Sequence, residues 1–365
     1  MKLRARLILP LLLVSCRFAT VPSSIAHPAR LAAAPLPVQR VVLITVDGVR
    51  WQEIFRGVDP VLARKAGLSS ELLADGRALL PNLYALIDRG VALGDASAGS
   101  PMVASGPNFV SLPGYREIFT GRSAGACIDN DCEPLDQPTV LDELRDAGGL
   151  PPGDIAAITS WETLKNAVSQ TPSRMAISSG RKSGATRDQL RVSPAAAALL
   201  DACASAKAWP GKEDYRPDRC TATLALEYLT ARRPRFLYVG LGDTDELGHR
   251  NDYRAYLGAL RAFDQFLGRV VEQVDAQTIV LVTCDHGRAA TFQDHGRAVP
   301  ESASVWLVAA GAHIPARGRV ALASSRRLAD IAPTLRALLT LDPDHTPGAG
   351  VPIPELLPAP LVARR

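Results

Sequence analysis

Asp47, Asp245, Asp285, His249, His286 and His295 are the residues of this chain whose types and spacing suit metal chemistry. Asp47 closes the apolar run Val41-Val42-Leu43-Ile44-Thr45-Val46. Asp243 and Asp245 follow Arg235-Phe236-Leu237-Tyr238-Val239-Gly240, and Asp285 follows Thr278-Ile279-Val280-Leu281-Val282-Thr283. His249 stands four residues after Asp245, and His286 directly after Asp285. Carboxylate and imidazole together suit a divalent transition metal. The chain has 6 His. His27, His313 and His345 fall in loop-like sequence, whereas the other three sit between 249 and 295 beside aspartates. A lone histidine of this kind is more often structural, but three in one Asp-rich stretch point to ligands.

The elements that must position these groups follow from periodicity. β-branched apolar runs of this length read as strands of a buried parallel sheet, and such sheets present ligands at the carboxyl ends of their strands. Helices are expected from Leu80 through Asp88, over Tyr115–Thr120 and Pro138–Ala147, at 194–206, 221–231 and 252–274, and finally over Arg327–Leu339. Further strands are expected over Ile155–Ser160 and Val305–Ala309, and a Gly/Ser/Pro-rich loop over Gly94–Pro113. This alternation predicts an α/β fold, a doubly wound, mostly parallel sheet with helices on both faces. One catalytic domain spans 40–355, with a small cap or insertion over 151–212 and a tail over 356–365.

The remaining composition narrows the function classes. With 365 residues and a formal net charge of +4, spread along the chain, there is no basic run with interleaved aromatics, so no nucleic-acid polymer is expected as partner. Lys2, Arg4 and Arg6 precede the apolar stretch Leu7–Val14, which is too short to span a bilayer. Leu13-Val14-Ser15-Cys16 has the form of a bacterial lipobox. Residues 1–16 therefore read as a leader and 17–39 as a tether, placing the protein in the periplasm or outer envelope with Cys16 as its lipid anchor and only membrane contact. The other cysteines fit an oxidising compartment: Cys127 with Cys132, Cys203 with Cys220, and Cys284 as a thiol inside a strand.

Taken in order, these motifs resemble the alkaline phosphatase superfamily, nearest its nucleotide pyrophosphatase/phosphodiesterase and single-domain phosphatase branches. Asp47-Gly48-Val49-Arg50 is similar to the first ligand motif, Asp245-Glu246-Leu247-Gly248-His249 to Asp-x-x-Gly-His, and Asp285-His286-Gly287 to Asp-His-Gly. His295-Gly296 looks like the last ligand. Ser111-Leu112-Pro113-Gly114, ending in Thr120-Gly121, resembles the nucleophile segment, and Ile128-Asp129-Asn130 the segment whose Asn contacts phosphoryl oxygens. The resemblance runs from about residue 40 to about 355 and includes the closing helix around Asp330–Leu335.

It implies two divalent ions, zinc first and manganese next. One would be held by Asp47, Asp285, His286 and Ser111, the other by Asp245, His249 and His295. Ser111 would be the nucleophile of a phosphate-ester hydrolase working through a phosphoseryl intermediate, with Asn130 stabilising the transition state. Ser105 is a rival nucleophile, and Asp243 and Asp294 are rival ligands or mere supports. The Cys-x-Pro-x-Arg signature of type I sulfatases is absent. Two other readings are a phosphotransferase and a non-catalytic metal-binding protein of the same fold. After the strand at 155–160 the chain reads Trp161-Glu162-Thr163-Leu164-Lys165, without the Lys-x-Arg pair that monoesterases of the superfamily carry. A small diester or pyrophosphate substrate is therefore expected over a monoester.

Overall fold

The three apolar runs lie side by side. The computed structural model describes residues 40–181, 193–205 and 212–358. Its strands, in chain order, are β1 (Arg40–Val46), β2 (Gly90–Leu93), β3 (Met102–Val103), β4 (Ile155–Thr159), β5 (Ala176–Ser179), β6 (Phe236–Leu241), β7 (Thr278–Thr283), β8 (Ser304–Val305), β9 (Leu307–Gly311), β10 (Gly318–Arg319) and β11 (Arg326–Arg327). Eight of them form one sheet in the order β10-β2-β9-β7-β1-β6-β4-β5, and β11-β3-β8 form a small second sheet.

β1 runs parallel to both β6 and β7, with Thr45 level with Gly240 on one side and Thr283 on the other. Every residue of β6 and β7 is buried, as expected of strands covered on both faces. Equal register brings three strand ends out at one edge, so Asp47, Asp243 and Asp285 emerge at one level of the sheet. β4 is parallel to β6, with Thr159 beside Gly240, so Ser160 and Trp161 share that edge. β9 pairs antiparallel with β2 and β7, the one reversal in the main sheet.

Several boundaries differ from the expectation. The helix expected from Tyr115 begins at Ser111 and ends at Thr120, because Pro113 falls in its first turn, where a missing N–H costs nothing. Asp243–His249 is a helix of its own. The strand expected over Val305–Ala309 divides at Trp306 between two sheets, β8 and β9. Residues 155–179 belong to the main sheet through β4 and β5, so the expected cap over 151–212 does not extend over them. Within the rest of that stretch, Pro194–Ser205 is helical, and 182–192 and 206–211 lie outside the described residues.

Two disulfides form, Cys127–Cys132 and Cys203–Cys220, and Cys284 is a buried thiol. The second joins the Pro194–Ser205 helix to the Asp218–Arg232 helix. The leader, the tether and most of the tail lie outside the described residues. No helix among those described is long and apolar enough to cross a membrane.

Candidate metal centre

Each functional side chain reaches the site by a local route that the sequence dictates. Asp47 leaves β1 through Gly48, whose φ of +62° is open to glycine at little cost. A Cβ there would also overlap Asp245 Oδ1. Asp245 and His249 occupy positions i and i+4 of the Asp243–His249 helix, so both face one side. Ser111 is the first residue of its helix, where backbone N–H groups favour negative charge. Val110, at the N-cap, has no side-chain hydrogen bond to give; Asn130 Oδ1 instead accepts the Leu112 N–H at 2.9 Å. The Cys127–Cys132 disulfide closes the loop that carries Asn130.

His286 Nε2 is the hub. It lies 3.4 Å from Asp47 Oδ1, 3.4 Å from Asp285 Oδ2, 4.0 Å from Asp245 Oδ1 and 3.3 Å from Ser111 Oγ. His295 Nε2 lies 3.8 Å from Asp245 Oδ1 and 3.0 Å from His249 Nε2, and His249 Nε2 lies 3.1 Å from Asp245 Oδ2. Two overlapping ligand triads result, Asp47/Asp285/His286 and Asp245/His286/His295. The seven side chains expected as ligands are therefore brought together, and His286 lies within reach of both groups.

The donor set fits divalent cations. Asp285 Oδ2 is buried without a hydrogen-bond partner, a costly state for a carboxylate that nothing neutralises. Burial, then the nearby Asp245 charge, pushes Asp285 up to about 7. Burial followed by Asp285 and Asp245 likewise raises Asp47. Burial would raise Asp245 too, but the Arg288 guanidinium and the surrounding imidazoles hold it well below the usual carboxylate range. Burial drives His286 down to about 4; burial and then His286 drive His295 down to about 3. Both rings are thus neutral near pH 7. Each Nδ1 meets a carbonyl oxygen, of Gly287 at 2.9 Å and of Phe109 at 2.8 Å. A carbonyl only accepts, so Nδ1 carries the proton and Nε2 turns its lone pair to the centre.

The rival residues have other partners. Ser105 donates to Glu117 Oε1 at 2.6 Å and, through its N–H, to Oε2 at 2.9 Å, which ties it to the far side of the helix. Asp243 accepts from the Asp218 N–H at 3.2 Å, while Asp218 accepts from the N–H groups of Gly242 and Asp243. That reciprocal pairing fixes the start of the metal-bearing helix. Asp294 is exposed, and its backbone carbonyl accepts from Ala289.

A family model described as the Metalloenzyme superfamily matches residues 216–343. The fold is similar to that of alkaline phosphatase PafA, at 12% identity and a TM-score of 0.58 over 89% of this chain and 100% of the other. It is also similar to the phosphonate monoester hydrolase of Agrobacterium radiobacter, at 17% identity and a TM-score of 0.56 over 88% and 77%. Among curated proteins, the 2,3-bisphosphoglycerate-independent phosphoglycerate mutase of Thermomicrobium roseum is 30% identical over 38% of this chain and 27% of its own length. That of Vibrio cholerae is 35% identical over 27% and 19%.

The fold is alkaline-phosphatase-like, and residues 216–343 carry the Metalloenzyme superfamily match.

The chain spans only about a fifth to a quarter of the length of these mutases, so the likenesses give the fold but not the reaction. Two residues that support this site escaped the sequence reading. Tyr115, one turn after Ser111, donates its hydroxyl to Asp47 Oδ2 at 3.0 Å. Arg288, two residues after His286, pairs with Asp245 Oδ1. Their only sequence signal was distance from a ligand, since each acts on a segment far away in the chain.

Proposed function

We propose that this protein is a metal-dependent phosphoric ester hydrolase with Ser111 as nucleophile. The observation that carries the reading is the convergence of six Asp and His side chains, the unsatisfied Asp285 carboxylate among them, with Ser111 at a helix start beside them.

Asp47, Asp285, His286 and Ser111 would hold one ion, and Asp245, His249 and His295 the other. Divalent ions there, zinc by the Asp/His donor set, supply the Lewis acidity that lowers a hydroxyl pKa and offsets charge on ester oxygens. Ser111 Oγ donates towards Asp47 Oδ1 at 3.4 Å, which orients its lone pairs away from that carboxylate. Attack forms the Ser111 O–P bond as the bond to the leaving oxygen breaks, and water then releases the phosphoryl group from the serine. Asn130, its carbonyl committed to Leu112, has its NH2 left to donate to a non-bridging oxygen.

A diester or pyrophosphate is the favoured substrate. Basic side chains around this sheet edge already face carboxylates: Lys165 with Glu162, Arg181 with Glu213, Lys212 with Glu246 and Arg288 with Asp245. A terminal phosphate dianion would find these four cations already paired. Comparing kcat/KM for aryl phosphate monoesters, aryl phosphate diesters and aryl sulfates at fixed zinc tests this. A preference for the monoester or the sulfate overturns it.

A phosphotransferase is the second reading, favoured by the mutase relatives. Product analysis with an added acceptor alcohol separates the two, since a transferase makes a new ester where a hydrolase releases phosphate. We further propose export, supported by the leader-like sequence ending at Cys16 and by the two disulfides. Fractionation of cells with lipid labelling of Cys16 and of a Cys16→Ala variant tests it.

A further inference from the structure

A cation is built into this cation-binding site. Arg288 is fully buried, and its guanidinium joins the two segments that bring ligands to the outer ion, the one assigned to Asp245, His249 and His295 as against the inner ion of Asp47, Asp285, His286 and Ser111. Nη1 pairs with Asp245 Oδ1, and Nη2 donates to the Asp245 carbonyl at 3.4 Å. Nε donates to the Phe292 carbonyl at 2.8 Å and Nη2 to the Gln293 carbonyl at 3.0 Å, just before His295. The group packs against Gly248, where a Cβ would overlap it, and against the Asp47-Gly48 turn. No simple charge balance requires this set of contacts. Three of the four acceptors are backbone carbonyls, and they belong to segments far apart in the chain.

We propose that Arg288 is a positioning residue for the outer metal ion, locking the Asp245 carboxylate and the His295 loop into one arrangement. The inference rests on the metal-centre reading above. It distinguishes geometry from charge, because a positive charge on its own would repel the ion. The planar fork reaches carboxylate and carbonyls together, which a lysine ammonium cannot match. The outer site is also the one that needs support: the His249 side chain is 44% exposed, whereas Asp285 and His286 are fully buried.

The test strips the full chain of metal and titrates Zn2+ against a chromophoric chelator, for the native protein, Arg288→Lys and Arg288→Gln. Native protein should bind two ions. Both variants should lose about 10–100-fold in affinity for one ion and keep the other. Retention of both affinities in Arg288→Lys overturns the proposal, as does tighter binding in Arg288→Gln, which would make Arg288 a mere charge. Should neither variant fold, Gly248→Ala keeps the arginine but displaces it, and the same selective loss is expected. Two undiminished ions in that variant would equally overturn it. A native protein that binds no ion defeats the metal centre itself, a different result from all of these.

Discussion

Asn130 caps the helix of Ser111 from outside: its Oδ1 accepts the Leu112 N–H at 2.9 Å, a position that Val110 cannot serve. The same contact fixes the amide plane and so aims the NH2 group. Asn130→Asp keeps the acceptor but loses the donor, whereas Asn130→Ala loses both. Turnover should fall about 10²–10³-fold in each, while only Asn130→Ala should lose stability, by about 1 kcal/mol. Steady-state kinetics beside denaturant melts check both. An active Asn130→Asp would remove Asn130 from the reaction.

Ser111→Ala should reduce turnover to background and leave metal content unchanged, because six protein ligands remain. Elemental analysis of the inactive variant is the control. Substantial residual activity would move the nucleophile elsewhere, although Ser105 is bound to Glu117.

Tyr115→Phe removes a hydroxyl that Asp47 accepts at 3.0 Å inside a fully buried site. A hydrogen bond to a charged group is worth about 1.5–3 kcal/mol. The inner ion should bind roughly tenfold or more weakly by competitive titration, with the outer ion little changed. Equal weakening of both would mean that the phenol supports the whole centre.

The two disulfides should separate activity from stability. By loop closure the short Cys127–Cys132 bridge is worth about 2 kcal/mol and the longer Cys203–Cys220 bridge about 3 kcal/mol. Cys127→Ser with Cys132→Ser should lower kcat through the Asn130 loop. Cys203→Ser with Cys220→Ser should lower Tm more and kcat less. Matching losses of activity in the two double variants would show that the first bridge has no special link to the site.

What the sequence revealed and what it hid divide along physical lines. Asp47, Asp245, Asp285, His249 and His286 were readable because each follows an apolar strand or sits at i, i+4 spacing, both local patterns, whereas His295 was read from its Asp-rich surroundings and the family resemblance. The parallel sheet was readable for the same reason. Arg288 and Tyr115 were not, since each acts on a carboxylate more than forty residues away in the chain. β5, the four residues Ala176–Ser179, was too short and too weakly apolar to register as a strand. The start of the Ser111 helix was obscured by Pro113 and Gly114, which usually signal loops.

The ligands enter from widely separated stretches of chain, at 47, 111, 245–249 and 285–295, and β7 must dock beside β1 before Asp285 faces Asp47. Such contacts of high sequence separation form late. A chain that has reached only residue 250 holds four of the seven donors and has no cage to put them in. Metal capture at this site would thus be a closing event of folding, and scarcity of the ion would leave a made sheet with an open, mutually repelling edge.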